Sequence, residues 1–339
     1  MDRFKYRDLQ QRNDYVKSFD NLFNVMEKRA EQNRNDFIVN IQSKEELRQK
    51  FFEMLGYPLT SYVPDSNISV KTDESFEMND MICTRYQLEV MPGFYFYGIL
   101  YEHKESNRHT KNAFVIAQHG GGGDPEVAGS LLRNSENYNH MVKRVVREDV
   151  SVFAPQLLLW NIAHCGGIGY DRVAIDTKLK LLGGSITGLE VYCIMKSIDY
   201  FSGVDWIDEN RVGMIGLSYG GLYTLHTAAA DTRIKSALSS CWFNDRLKYS
   251  NNPDWTFSNQ AVTFMDAEIA SLVLPRKFYI EIGIDDVSFD YKAAQQDIER
   301  LQKYAEKDNC PDSLKISIFN GVHEVDTSDV GINFLLDNL

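Results

Sequence analysis

The sequence predicts an α/β protein with a mostly parallel central sheet and helices on both faces. Short apolar runs near 113–118, 150–154, 211–216, 234–240, 277–283 and 314–319 alternate with helical stretches, as strands and crossover helices do in parallel sheets. Residues 67–103 form β-rich alternating runs, which predict antiparallel strands at the start of the sheet. With 339 residues, 43% of them hydrophobic, the chain is long enough for one large core.

Two regions are predicted along the chain. Helical patterns dominate up to about residue 57, and the Gly56-Tyr57-Pro58 sequence is a helix stop. We therefore expect an N-terminal helical extension over residues 1–60 and a single α/β domain over residues 61–339. The rest of the sequence contains no internal repeat, low-complexity tract or linker.

The most informative motif is Gly216-Leu217-Ser218-Tyr219-Gly220. It follows the apolar run 212–215 and precedes a stretch of small residues with helical character. Strand, Gly-x-Ser-x-Gly and helix together predict a nucleophile elbow, a turn that holds the serine in a strained conformation at the head of a helix. Ser218 is the candidate nucleophile, and the alternative is a glycine-rich turn with an incidental serine.

A glycine-rich stretch, His119-Gly120-Gly121-Gly122-Gly123, follows another predicted strand. Glycines let backbone N–H groups approach an anionic oxygen, so this loop is a candidate oxyanion hole. We expect its donors to be the N–H groups of Gly121 and of Tyr219, the residue after the serine. A phosphate loop fits less well because the Lys-Ser/Thr ending is absent, and a plain flexible turn is the other alternative.

A reactive serine needs a histidine base and a carboxylate that orients the histidine. Among the histidines after Ser218, His226 lies too close in sequence, within the elbow helix, whereas His323 follows a predicted strand. Asp285 and Asp286 follow the strand 277–283, and the spacing alone allows either of them to be the carboxylate. Asp290 is more plausible as a helix cap.

Two long loops leave predicted strand ends on the same side as these residues. Trp160 lies in the loop after Pro155, and Trp242 lies directly after the strand 234–240. We expect both tryptophans to line a substrate pocket, with Trp242 the stronger candidate. Ordinary packing of buried aromatic residues is the alternative.

The composition restricts the partners. A formal net charge of −12 disfavours nucleic acid and anionic membranes, which bind basic surfaces. Five scattered cysteines without a Cys-x-x-Cys motif indicate reduced thiols and no zinc site. We found neither a signal-peptide core nor a membrane span in the sequence, so we expect a cytoplasmic protein that needs no metal or cofactor. The N-terminal helices are a candidate interface for a homo-oligomer.

These motifs resemble the α/β-hydrolase superfamily, and within it the carbohydrate-esterase-like branch of acetyl xylan esterases and dienelactone-hydrolase-like proteins. The resemblance covers about residues 60–339 and rests on the His119 loop, the stretch 188–213 and the elbow that ends in Gly220-Gly221. It implies the α/β-hydrolase fold, a Ser218–Asp286–His323 triad and hydrolysis of short-chain esters, acetyl esters of carbohydrates among them. Dienelactone hydrolases use cysteine as the nucleophile, so Ser218 departs from their pattern.

Other functions remain open. The Ser-Tyr-Gly-Gly sequence also resembles serine peptidases of the prolyl-oligopeptidase type, although about 110 residues before the glycine loop are too few for the β-propeller that those enzymes carry. An acyl thioesterase would need basic residues for the nucleotide phosphates, and none cluster in the sequence. A non-catalytic binding protein on the same scaffold is disfavoured because every triad position has a candidate.

Overall fold

The computed structural model describes residues 3–40, 44–131, 137–249 and 252–339, and its centre is a ten-stranded sheet. The strands are β1 (Ser69–Thr72), β2 (Phe76–Met78), β3 (Met81–Met91), β4 (Phe94–His103), β5 (Asn112–Gln118), β6 (Val150–Pro155), β7 (Ile207–Leu217), β8 (Ile234–Ser240), β9 (Lys277–Gly283) and β10 (Leu314–Phe319). Their order in the sheet is β1-β3-β4-β6-β5-β7-β8-β9-β10, and β2 pairs with β3.

Twelve α-helices lie in the described part of the chain. They are α1 (Arg3–Asn40), α2 (Lys44–Leu55), α3 (Pro125–Ala128), α4 (Met141–Val145), α5 (Ile162–Cys165), α6 (Arg172–Leu181), α7 (Ile186–Ser202), α8 (Tyr219–Ala230), α9 (Gln260–Thr263), α10 (Asp266–Ser271), α11 (Tyr291–Lys307) and α12 (Val330–Asp337). None of these described helices is both long enough and apolar enough to cross a bilayer.

The sheet changes from antiparallel to parallel at β6. Strands β1 to β4 pair antiparallel, as does β4 with β6, whereas β6, β5, β7, β8, β9 and β10 pair in parallel. Six parallel strands were predicted, and each is present within a few residues of its predicted limits. The predicted fold class is therefore confirmed, including the antiparallel strands at the start.

Both faces of the sheet are buried, and β5 illustrates why. Phe114 and Ile116 point into a core shared with α2, α7, α8 and α11, while Ala113, Val115 and Ala117 point into a second core shared with α4 and α12. Because side chains alternate along a strand, a continuous apolar run fills both cores.

The N-terminal helices pack differently from each other. Phe51 and Leu55 of α2 have no exposed surface and belong to the same core as the sheet. Most described side chains of α1, by contrast, are exposed. The boundary near residue 60 stays a prediction from the sequence.

Candidate active site

The Gly216–Gly220 motif forms the sharp turn between β7 and α8. Ser218 has φ 59° and ψ −121°, a strained combination for a residue with a side chain. A Cβ atom at Gly216 would overlap the Gly220 carbonyl, and one at Gly220 would overlap the Gln118 carbonyl. The glycines therefore allow the close approach that presents Ser218, which is half-buried, at the start of α8.

The glycine loop lies against this turn. A Cβ at Gly120 would be 3.2 Å from the Ser218 Cβ, and one at Gly121 would be 3.4 Å from the Tyr219 ring. The N–H groups of Gly120, Gly122 and Gly123 donate to the Tyr138 hydroxyl, the Leu159 carbonyl and the Gly120 carbonyl. Within the described residues, the N–H of Gly121 has no such acceptor, so it is available to a ligand.

His119 fixes the shape of the loop. Its Nε2 accepts a hydrogen bond from the Leu157 N–H at 3.0 Å, so the ring proton is on Nδ1, which donates to the Gly120 carbonyl at 2.9 Å. Complete burial lowers the pKa of His119, which keeps the ring neutral and preserves this bonding pattern. The histidine thus holds the loop and does not reach the pocket.

His323 and Asp286 meet beyond the neighbouring strand ends. The Nδ1 atom of His323 is 2.8 Å from Oδ2 of Asp286. Burial alone would raise the pKa of Asp286, but the hydrogen bond from His323 and those from two backbone N–H groups lower it below its ordinary value. Asp286 therefore remains charged beside the imidazole.

Asp285 is exposed and its backbone N–H donates to the Gly321 carbonyl. A Cβ at Gly283, where β9 ends, would overlap the Val322 carbonyl. Glycine at this position therefore lets the His323 loop pass over the strand end and reach the aspartate. Asp290, as predicted, caps α11 by accepting from the Lys292 N–H at 3.0 Å.

Ser218 and His323 line the same pocket, which has a volume of about 330 Å³. Tyr219, predicted as an oxyanion donor, also lines it, together with Trp255 of the predicted pocket loop and with Tyr249, Asn252, Ser288 and Phe289, which the sequence did not indicate. The wall is mostly aromatic with a few polar groups, as is typical of small-molecule sites.

The two predicted pocket tryptophans lie elsewhere, and these predictions are corrected. Trp242 is only 1% exposed and sits behind the wall, with its ring centroid 5.1 Å from that of Trp255 and 5.4 Å from that of Phe289. Trp160 lines two other cavities, and Tyr97 and Gln156 line both of them as well. The loop after Ser240 does line the pocket, through Tyr249, Asn252 and Trp255, whereas no residue of the loop after Pro155 lines it.

Cys241 is the remaining group near the triad positions. Its sulfur and the facing atoms of Asp286 and His323 all lie within 4.8 Å of one another, a grouping that a metal ion could in principle use. Burial raises the pKa of Cys241 to about 12, and its thiol donates to the Glu324 carbonyl at 3.2 Å. A protonated, bonded thiol is a poor metal ligand, so Cys241 acts as a packing residue that supports the His323 loop.

A buried ionic network lies behind the pocket, and no sequence motif predicts it. Arg172 donates to both oxygens of Glu190, at 3.1 and 2.9 Å, and to Oδ2 of Asp254 at 2.7 Å. Burial opposes the charge of Arg172, but Glu190 and Asp254 raise its pKa above the ordinary value. Asp254 Oδ2 also accepts from the Tyr219 hydroxyl at 3.0 Å.

The same network reaches the glycine loop. Glu190 accepts from the Leu158 N–H at 2.7 Å, and Arg172 donates to the Leu158 carbonyl at 3.2 Å. The next residue, Leu159, holds Gly122 through its carbonyl. Arg172 is therefore connected, through Asp254, to Tyr219, which lines the pocket. Through the Leu158–Leu159 segment it is also connected to the glycine loop.

We expect the Arg172→Met substitution to destabilise the protein by about 3–5 kcal/mol, because it leaves two buried carboxylates without their partner. The measurement is chemical denaturation at neutral pH. Arg211→Met is the matched control: the Arg211 side chain is 32% exposed and its guanidinium pairs with Asp208 at 3.0 Å, so a loss below about 1 kcal/mol is expected. Equal losses of unfolding free energy in the two variants would show that the buried network contributes no more to stability than an exposed ion pair.

Several known proteins are similar to parts of this sequence. Residues 190–269 match the prolyl oligopeptidase family; this segment contains the elbow but ends before Asp286 and His323. The chain is 31% identical over 125 residues to a protein of Bacillus subtilis (strain 168) named as a hydrolase, YtaP, with 35% of this chain and 42% of YtaP covered. The chain thus matches less than half the length of this curated relative.

Solved structures match over nearly the whole chain. A glucuronoyl esterase from Solibacter usitatus superposes with a TM-score of 0.64 at 14% identity, covering 87% of this chain and 92% of its own. Acetyl xylan esterase 1 from Thermoanaerobacterium gives 0.55 at 15% identity, covering 87% and 93%. At such low identity the likeness concerns the fold. The chain therefore has the fold of these carbohydrate esterases, which is the fold that its sequence predicted.

Proposed function

We propose that the chain is a serine carboxylic-ester hydrolase that acts on short-chain, chiefly acetyl, esters, with acetylated carbohydrates as the substrate class. The observation that carries the proposal is the pocket itself. It brings the strained Ser218 and the His323–Asp286 pair to one cavity, beside a glycine loop with an available N–H.

In the proposed first half-reaction, His323 takes the Ser218 proton as Oγ attacks the ester carbonyl carbon. Asp286 holds the imidazole through Nδ1 and stabilises its positive charge. The N–H groups of Tyr219 and Gly121 donate to the oxyanion, and Tyr219 is suited to this because it is the first residue of α8, where N–H groups have no helical acceptor. His323 then protonates the departing alcohol.

In the second half-reaction, His323 removes a proton from water, and the hydroxide oxygen attacks the acyl carbon. The bond to Ser218 Oγ breaks, and Oγ takes the proton back from His323. No metal or cofactor takes part in this scheme. We also propose a cytoplasmic location, which rests on the odd number and scattered positions of the cysteines.

The size and lining of the pocket support a small substrate. A volume of about 330 Å³ is at the lower end of the range for small-molecule sites, roughly 300–1,000 Å³. Trp255, Tyr249 and Phe289 offer flat apolar faces, which suit an acetyl group and one face of a sugar ring. The amide of Asn252 offers a polar contact at the rim.

A peptidase is the second candidate, because residues 190–269 match the prolyl oligopeptidase family. The same nucleophile chemistry cleaves amides, so the motif does not separate the two activities. The match ends at residue 269, before Asp286 and His323, so it covers only part of the candidate site. An acyl thioesterase has no specific structural feature in its favour, and a binding protein without catalysis would not need the strained serine.

The test compares substrates on the unmodified chain. We expect kcat/KM for p-nitrophenyl acetate and acetylated xylooligosaccharides to exceed that for peptide p-nitroanilides by at least about a hundredfold, equal to roughly 3 kcal/mol in transition-state stabilisation. A serine-directed fluorophosphonate followed by mass spectrometry should label Ser218. Faster turnover of the anilides would reject the esterase in favour of the peptidase, and no label on Ser218 would reject both.

A further inference from the structure

Helix α1 is anchored to the rest of the molecule at its carboxyl-terminal end. Ala30 is 4% exposed, and the guanidinium of Arg34 is buried 4.0 Å from Glu268 of α10. On α11, Arg300 donates to Asn35 at 2.7 Å and Gln296 donates to Glu31 at 2.8 Å. These contacts fix the direction in which the earlier turns of α1 leave the surface.

The face of α1 that buries Ala30 continues toward the amino terminus as an apolar stripe. The stripe follows a heptad pattern, with residues 9, 16, 23 and 30 at one position and 19 and 26 at the other. Its exposed members are Leu9, Tyr15, Val16, Phe19, Leu22, Phe23 and Met26, and their exposed fractions run from 38% for Phe19 to 67% for Tyr15 and Val16.

The stripe is one connected surface. The ring centroids of Tyr15 and Phe19 are 5.3 Å apart, and those of Phe19 and Phe23 are 5.8 Å apart. Aromatic side chains such as Tyr15, Phe19 and Phe23 bury on the order of 150–250 Å² each when they are covered, and the four aliphatic members bury somewhat less. With seven of them about half exposed, each copy presents roughly 700 Å² to a partner, close to the roughly 800 Å² per side of a standard interface.

We propose that this stripe is the interface of a homodimer, in which α1 of one copy lies antiparallel against α1 of a second copy. A two-fold axis between residues 17 and 18 places Leu9 against the partner's Met26 and Val16 against the partner's Phe19. Arg12 then faces the partner's Phe23, where its guanidinium can stack on the ring. All heptad positions from 9 to 26 are matched in this register, and Ala30, which is already covered, needs no partner.

A groove beside the base of α1 supports the antiparallel arrangement. It has a volume of about 280 Å³ and lies between Phe23, Met26 and Ala30 of α1 and the segment 256–265, which includes Phe257 and Val262. The register above brings the partner's Leu9 to Met26, at the mouth of this groove. Residues 256–265 directly follow Trp255, which lines the Ser218–His323 pocket. A partner in the groove would therefore cover the segment next to this pocket wall.

The charges favour a second copy over a lipid surface. The face of α1 opposite the stripe mixes Lys17 and Lys28 with Asp14, and Asp20 and Glu27 flank the stripe, whereas helices that bind anionic membranes are rich in Lys and Arg on the polar face. The formal net charge of the chain, −12, adds repulsion from such a surface. A second copy has the same net charge and is also repelled, but its apolar stripe matches this one across a two-fold axis, because a two-fold interface is self-complementary.

The first experiment is sedimentation equilibrium of the full chain at micromolar concentration. We expect twice the monomer mass of 38.9 kDa, and the monomer mass for the double variant F19E/F23E. The matched control N21E/N24E places two glutamates on the exposed side of α1 away from the stripe and should remain dimeric. Circular dichroism and ester turnover verify that all three proteins are folded.

The second experiment tests the register in a Cys165→Ser background, which removes the exposed native thiol. The L9C/M26C double variant should form a covalent dimer on mild oxidation, and L9C or M26C alone should not. A monomeric wild type overturns the proposal, as does an F19E/F23E variant that remains dimeric. Sedimentation of a monomeric chain with phosphatidylglycerol vesicles would assign the stripe to a membrane, and covalent dimers of the single variants would reject the antiparallel arrangement.

Discussion

Replacing Ser218 with alanine will lower kcat/KM for p-nitrophenyl acetate by roughly four to six orders of magnitude. The substitution removes the only atom of the elbow that attacks the ester carbonyl in the proposed mechanism. The donors of Tyr219 and Gly121 remain, so a small residual rate above the uncatalysed reaction is expected. In free energy the loss is roughly 5–8 kcal/mol of transition-state stabilisation.

Ser288 provides the matched control for this variant. It lines the same pocket as Ser218, but its position is tied to the Asp286 loop through its backbone N–H, which donates to Asp286 Oδ1 at 2.7 Å. The Ser288→Ala variant keeps that hydrogen bond and should lose less than about tenfold in kcat/KM. A Ser218→Ala protein with near-normal turnover and an unchanged melting temperature would contradict the proposed nucleophile.

The sequence predicted those parts of the fold and site that local motifs specify. The position of Ser218 in a sharp strand–helix turn was predictable because the strand, the glycines and the helix are contiguous in sequence. The position of His323 in the same pocket was predictable because few histidines follow the elbow. The six parallel strands were identifiable because strands covered on both faces are continuous apolar runs.

Features that depend on side-chain direction were not predictable in the same way. Trp242 and Trp255 lie in one loop, but Trp255 lines the pocket while Trp242 is buried behind it, and their sequence positions do not distinguish the two. The Arg172–Glu190–Asp254 network joins residues that are 18 and 82 positions from Arg172, with no motif to connect them. The stripe on α1 is visible as a heptad pattern, but its exposure depends on where the helix leaves the body.

The clearest example of a feature set by side-chain direction is the choice between Asp285 and Asp286 as the carboxylate that contacts His323. Both carboxylates lie in one turn, so their spacing from β9 differs by a single residue. In the structure the Asp286 side chain is buried and bonded to His323 at 2.8 Å, whereas Asp285 is exposed. Adjacent residues of a turn point in different directions, and therefore only one of them can orient the imidazole.

We expect the Asp286→Asn variant to lose about 10³–10⁴-fold in kcat, with KM nearly unchanged, because an amide at this position cannot stabilise the imidazolium and favours the wrong tautomer of His323. Asp285→Asn is the matched control: it makes the same chemical change one residue away and should stay within about twofold of the wild type. Steady-state kinetics of both variants on p-nitrophenyl acetate provide the measurement. If the two variants lost activity equally, the general charge of the loop would matter, and the specific bond from Asp286 to Nδ1 of His323 would not.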